Sequence, residues 1–176
     1  GVDVLFIPSH EEMYPVGFSS NISVGAIAGH MEGLHRPGHI DGVATVVVKL
    51  LNAVAPTGSY FGEKDFQQVA VIRQVVHDLN ILCEITSVPT VRDEYGLALS
   101  SRNARLTPEQ RAQASQIYVL LAEIVAQART HEISATAVKN RFSTELHALT
   151  CASVEYVEVV DSNTLQPAQT ATNGTT

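Results

Sequence analysis

The stretch "SYFGEKDFQQVAVIRQVVHDLNILCEITSVP", Ser59 to Pro89, constrains the fold more than any other part of the chain. It begins in a short aromatic strand, "GSYF", and crosses a compact charged turn. It then sets Val69, Ile72, Val76 and Leu79 at helical spacing, and ends in "ILCEITSVPTV", a run suited to a second strand. Strand, helix, strand in that order is a βαβ unit, whose strands run parallel because the helix carries the chain back across the sheet. Upstream, "GVATVVVKLLNAVAP" places Val43, Val46, Val47, Leu50, Leu51 and Val54 on one helical stripe that Pro56 stops. Earlier still, the near-continuous apolar run Val2 to Pro8, "VDVLFIP", reads as a strand buried on both faces of such a sheet. The fold class expected is α/β.

Between these elements the chain is less regular. "HEEMYPVGFSSN" reads as an irregular connection, and "SVGAIAGHMEGLHRPGHIDG" as a short strand or helix piece followed by a loop ending at Arg36-Pro37-Gly38. After "VRDEYGLALSSRNARL" the texture changes. Thr107, Pro108 and Gln110 supply an N-cap, a first-turn proline and a capping box, ahead of a stripe through Ile117, Leu120, Leu121, Ile124 and Val125. A second helix follows with Val138, Phe142, Leu146 and Leu149 on one side, then "SVEYVEVVD" as a strand and a polar, frayed "QTATNGTT". The division falls near Thr90: residues 1–90 form the α/β part and residues 91–176 a smaller, helix-rich α+β part.

Composition narrows the function classes. With 45% hydrophobic and 16% charged residues, the chain is globular rather than disordered. A net charge of −7 argues against a general nucleic-acid binder. No apolar run approaches the ~20 residues that a membrane span requires. Cys83 and Cys151 fit no CxxC pattern and sit in apolar company, as buried thiols of a reducing cytoplasm would.

Two polar clusters could carry chemistry. "FGEKD" follows a parallel strand and precedes a helix, the position where open α/β sheets bind ligands. There Gly62 permits close backbone approach, the helix start offers amides to an anion, Lys64 suits a phosphate and Asp65 a ribose hydroxyl. The residues alone leave a solvated helix start equally open. "LALSSRN" is the second cluster. Ser100, Ser101 and Arg102 could hold phosphate through hydroxyl, amide and guanidinium, against the plain reading of a serine-rich loop with a structural arginine. His35 and His39 are spaced as on a helix, but Pro37 and Gly38 interrupt that face, which disfavours a zinc pair.

The segments "RPGHIDGVATVVVKLLN", "YFGEKDFQQVAVIRQ", "VPTVRDEYGLALSSRN" and "VEYVEVVD" resemble, in order and over the whole chain, the pantoate–β-alanine ligases. These are Rossmann-like members of the HIGH-type nucleotidyltransferase superfamily. The resemblance implies a partial Rossmann-like parallel sheet and a cytoplasmic enzyme of coenzyme A biosynthesis, homodimeric when intact. It would join ATP and pantoate to pantoyl adenylate with Mg²⁺, then pass the pantoyl group to β-alanine. By the same resemblance Gly62, Glu63, Lys64 and Asp65 line the ATP site and Val91 meets the adenine through its backbone. Leu99, Ser100, Ser101 and Arg102 correspond to the KMSKS loop. Gln68 holds pantoate, and Glu32 and Arg36 lie near the substrate cavity. Lys64, Ser100, Ser101 and Arg102 are the catalytic candidates. The family's first βαβ unit with its HxGH motif has no counterpart among these residues, nor has its closing C-terminal strand. The chain is therefore expected to be a fragment that is inactive alone. Another nucleotidyltransferase of the superfamily and a non-catalytic scaffold are the alternatives.

Overall fold

The structure, a computed structural model, describes residues 1–149 and 153–172. The elements are α1 (His10–Met13), α2 (Glu32–His35), α3 (His39–Val54), β1 (Gly58–Gly62), α4 (Phe66–Asp78), β2 (Glu84–Val88), α5 (Pro108–Ala128), β3 (Ile133–Ser134), α6 (Ala135–His147) and β4 (Thr170–Ala171). Short 3-10 turns occupy Gly25–Gly29, Glu63–Asp65 and Ser101–Arg105. β1 and β2 pair in parallel, with Gly58 opposite Glu84 and Gly62 opposite Val88, and α4 connects them. This is the βαβ unit expected from the spacing, and the fold is α/β and Rossmann-like.

Two apolar clusters hold the chain. In the first, Ile40, Ala44 and Val48 of α3 pack against Val71 and Val75 of α4, with Ile22, Val24, Ile27, Ala28 and Ile81 around them. Ala44 at the contact lets the two helix axes draw close, and each fully buried aliphatic side chain contributes roughly 1.5–3 kcal/mol. The stripe expected on α3 is rotated. Val43, Val46, Val47 and Leu50 are only half-buried and Val54 is exposed, while Ile40, Ala44, Thr45, Val48 and Leu51 face inward. The helix is apolar around most of its circumference, so helical spacing fits two overlapping stripes and packing against α4 selects one. On α4, Val69 and Ile72 are buried as expected, but Val71 and Val75 join them in place of Val76 and Leu79.

In the second cluster, Leu120 and Ile124 of α5 meet Ala135, Val138 and Phe142 of α6, together with Val159 and Ala171. Thr107 caps α5 as predicted. Its hydroxyl accepts from the Gln110 amide at 3.2 Å, and Gln110 Oε1 accepts from the Thr107 amide at 2.9 Å. Ile117, Leu121 and Val125 of the expected stripe are exposed, because α6 covers only the Leu120–Ile124 side.

Several expectations are overturned. Val2 to Pro8 is not a core strand: residues 2–8 form no strand, and Val2, Val4, Leu5, Phe6 and Ile7 are 51–83% exposed. A strand needs a ladder partner, and among the described residues β1 and β2 pair only with each other. The connection after it is not wholly irregular. Ser9 and Glu12 form a reciprocal capping box that starts α1, with bonds of 2.7 and 3.2 Å. These bonds hold the Glu12 carboxyl below its ordinary range. "SVEYVEVVD" is no strand either. It carries isolated bridge pairing, including Val160 antiparallel to Pro167, and buries Val159 and Val160 as a packed irregular segment. Thr170 and Ala171, expected to fray, pair with β3. Residues 25–35 do form short helical pieces, in line with the sequence. Cys83 is buried and unbonded to another cysteine, whereas Cys151 lies outside the described residues.

Candidate functional site

The carboxyl end of β1 delivers the chain directly into the Glu63–Asp65 turn and then α4, so this turn sits where a parallel sheet presents ligands. Gly62 has φ −73° and ψ 133°, ordinary extended values, and a Cβ built there would meet nothing within 4 Å. Neither backbone nor packing demands glycine at this point. The space in front of it is open.

Asp65 precedes α4 but makes no capping bond, and neither it nor Lys64 has a hydrogen-bond or ion-pair partner among the described residues. The solvated ion pair that the charge pattern allowed does not form. Glu63 turns the other way and accepts from Ser87 Oγ of β2 at 2.9 Å.

The two glutamines that follow have different surroundings. Gln67 is buried, and its amide is fully used: Nε2 donates to the carbonyls of Ile27 and His30, both at 2.9 Å, and Oε1 accepts from the Glu32 amide at 3.2 Å. These bonds straddle Met31, whose φ of 51° and ψ of −124° lie in a region that side chains rarely adopt. Gln67 therefore fastens a strained peptide, and with it the start of α2. Gly33 makes the fastening possible, since any Cβ there would fall 1.7 Å from the Ala28 carbonyl oxygen. Gln68, one residue on, has no such partners and is half-buried.

α3 pins the irregular segment around Ile22 and Val24. Thr45 Oγ1 accepts from the Ile22 amide at 2.9 Å and donates to Asp41 O at 2.8 Å, while Asp41 Oδ1 accepts from the Val24 amide at 3.0 Å. The result is a cleft of about 220 Å³ between α2, the start of α3, the Glu63–Asp65 turn and the first residues of α4. Glu32, Arg36, Lys64, Asp65 and Gln68 all line it, so five residues singled out in the sequence converge. Arg36 Nη1 lies 3.5 Å from Glu32 Oε2, with the side chains 55% and 39% exposed, which makes a weak pair. Met31, His39, Gln67 and Tyr156 also line the cleft and are not foreseen there by the sequence. For His39 the sequence raises only a metal-ligand role. Tyr156 gives no signal, because nothing local ties it to residues so far back in the chain.

Val91, Leu99, Ser100, Ser101 and Arg102 do not line this cleft. Val91 is exposed, with its carbonyl accepting from the Leu99 amide at 2.9 Å. Ser100 caps the 3-10 turn at Ser101–Arg105, its hydroxyl accepting from the Arg102 amide at 3.2 Å, and Asn103 Nδ2 donates to Ala98 O at 2.9 Å. Ser101 and Arg102 are exposed. Among the described residues, no group of three His, Cys, Asp or Glu side chains is placed to hold a metal ion. None of the described helices is long and apolar enough to cross a membrane.

The pantoate–β-alanine ligase family model matches residues 1–176. The chain belongs to that family. It is 48% identical over 176 residues to the pantothenate synthetase of Aquifex aeolicus, an alignment that covers 99% of this chain and 62% of that protein. Among solved structures, pantothenate synthetase from Thermus thermophilus superposes with a TM-score of 0.88 at 42% identity, over 99% of this chain and 63% of that one. The pantoate–β-alanine ligase of Francisella tularensis, solved with β,γ-ATP and β-alanine, matches with a TM-score of 0.68 at 40% identity, over 82% and 53%. This member of the ligase family thus spans about three-fifths of the length of the relatives it matches.

Proposed function

We propose that the cleft is the pantoate and ATP wall of a pantoate–β-alanine ligase, a cytoplasmic enzyme of coenzyme A biosynthesis. It would condense pantoate with β-alanine through pantoyl adenylate, releasing pyrophosphate and AMP. The observation that carries this reading is the convergence of Lys64, Asp65 and Gln68, all without partners among the described residues, with Glu32 and Arg36 in one cleft at the end of β1. Attack of a carboxylate on the α-phosphate of ATP needs alignment and charge stabilisation more than a base, because the nucleophile is already an anion. Lys64 would meet the phosphates as a point charge and Asp65 the ribose. The open space before Gly62 would receive the nucleotide against bare backbone. Gln68 is neutral and can orient pantoate's carboxylate and hydroxyls without a tight ion pair.

Glu63, Val91, Leu99, Ser100, Ser101 and Arg102 complete the proposed nucleotide contacts. The Ser100–Arg105 turn is held by its own hydrogen bonds and carries Arg102 exposed, free to serve as a second cation for the phosphates. Mg²⁺ would enter with ATP, held by the phosphate oxygens, a donor set that suits its preference for oxygen. The separation of the two apolar clusters supports a division near Thr90. The intact enzyme is proposed to be a homodimer.

Calorimetric titration of ATP tests the reading. Weak, saturable binding that Lys64→Ala lowers about tenfold supports it. The absence of ATP binding would turn the chain into a scaffold. Pyrophosphate release with ATP, pantoate and Mg²⁺ is expected to be negligible for these 176 residues, which contain no HxGH motif. In an ATP–pyrophosphate exchange assay on a protein of the relatives' full length, another carboxylate replacing pantoate with equal efficiency would favour a different nucleotidyltransferase.

A further inference from the structure

One wall of the cleft does not come from the βαβ unit. Tyr156, 124 residues beyond Glu32, donates its hydroxyl to Glu32 Oε1 at 3.2 Å. Its ring stacks on the His35 imidazole, with centroids 4.8 Å apart and planes inclined by 13°. Glu32 and His35 are the two ends of α2, so a single side chain grips that helix at two points. Such a grip matters here, since α2 is one turn long and buries only Gly33. The second Glu32 oxygen faces Arg36 Nη1 at 3.5 Å, and the same Nη1 lies 3.1 Å from His39 Nε2.

The chemistry of these groups gives the contacts a direction. A guanidinium only donates, so His39 Nε2 must accept and the ring keeps its proton on Nδ1. Burial and the adjacent Glu32 carboxylate push the Tyr156 phenol up to about 12, so it remains a donor at neutral pH. The chain of contacts runs from Tyr156 to Glu32, and from Arg36 to both Glu32 and His39. All four of these side chains line the same cleft as Lys64 and Gln68.

We propose that Tyr156 is a positioning residue for the cleft: by holding Glu32 it aims the Arg36 guanidinium, and with it His39, at the pantoate end of the site. Its ligand rests on the function proposed above, while the geometry stands without it. The segment around Tyr156 thereby makes the order of the cleft depend on the far end of the chain.

Tyr156→Phe keeps the ring stack and removes only the hydroxyl. In ligand-free protein, ¹⁵N spectra are expected to show the Arg36 Nε and His39 ring resonances moving in Tyr156→Phe and likewise in Glu32→Gln. In pantoate titrations each single variant should bind about fivefold more weakly, and the double variant no worse than the poorer single one, as for coupled neighbours. ATP binding, carried by Lys64, should stay within about twofold for these variants. Unchanged Arg36 and His39 resonances in Tyr156→Phe overturn the proposal, as does an equal loss of ATP and pantoate binding, which would mark a general loosening. Should the unsubstituted chain bind neither ligand, the function fails and the ¹⁵N result alone decides the role of Tyr156. If Tyr156→Phe does not fold, Tyr156→Trp, which also keeps an aromatic ring and lacks the hydroxyl, is read in the same two ways.

Discussion

Two polar segments, Glu63–Gln68, which runs from a 3-10 turn into the first residues of α4, and Leu99–Asn103, which precedes α5, use their polar atoms differently. In the first, one side chain does the structural work. Gln67 turns inward and spends its whole amide on Ile27, His30 and Glu32, which leaves Lys64, Asp65 and Gln68 unpartnered, among the described residues, along a cleft. In the second, Ser100 and Asn103 are consumed in shaping the turn itself, and Ser101 and Arg102 face solvent. Gln67 spends its bonds on the Ile27–Glu32 segment and not on its own turn, so it holds the α2 wall of the cleft while Lys64 and Asp65 stay open to it. The lesson is that adjacent residues of one type, here Gln67 and Gln68, can differ completely in role.

The sharpest way to break this contrast is to exchange the glutamines' fates. Gln67→Leu strands two carbonyls and an amide in a part-buried place and should cost about 3 kcal/mol in urea denaturation, whereas Gln68→Ala should stay within about 0.5 kcal/mol. Equal losses would erase the distinction. Gly33→Ala comes next. Its Cβ would strike the Ala28 carbonyl at 1.7 Å, so α2 must shift, at roughly 2 kcal/mol. Thr107→Ala probes the helix that follows the second turn, and loss of its capping box should cost about 1 kcal/mol with little change in ATP binding. Gly62→Ala should leave stability within about 0.5 kcal/mol, since its φ and surroundings accept a methyl, but should weaken ATP binding. The gentlest test is alkaline. The Tyr156 phenol is raised when folded, so its contribution is complete below the ordinary tyrosine range near 10 and is lost as pH climbs toward about 12. Tyr156→Phe should flatten that part of the stability profile.

Much of this is legible in residues whose neighbours are local. The βαβ order, the Thr107 cap and the break at Pro37-Gly38 each follow from a few adjacent positions, and Gly38 does take a left-handed φ of 79° between α2 and α3. Lys64, Asp65 and Gln68 are readable because the end of a parallel strand is a place that sequence order can locate. What escapes depends on partners far away. Val2 to Ile7 has strand composition without a ladder partner, the α3 stripe is set by which face meets α4, and Tyr156 reaches Glu32 across most of the chain. The start of α1 escapes for a different reason. Ser9 and Glu12 carry a capping-box signature that Pro15 and Gly17 overshadow.

The parallel pairing of β1 with β2 has a consequence for how the molecule forms. No tight hairpin can join parallel strands, so the ladder from Gly58–Glu84 to Gly62–Val88 closes only once α4 has carried the chain across. Folding speed should therefore respond to the buried face of α4, at Val71 and Val75, while changes in α5 and α6 act on the unfolding rate instead. The helix that presents Gln67 and Gln68 to the cleft would then be the element that sets the pace of the chain's own assembly.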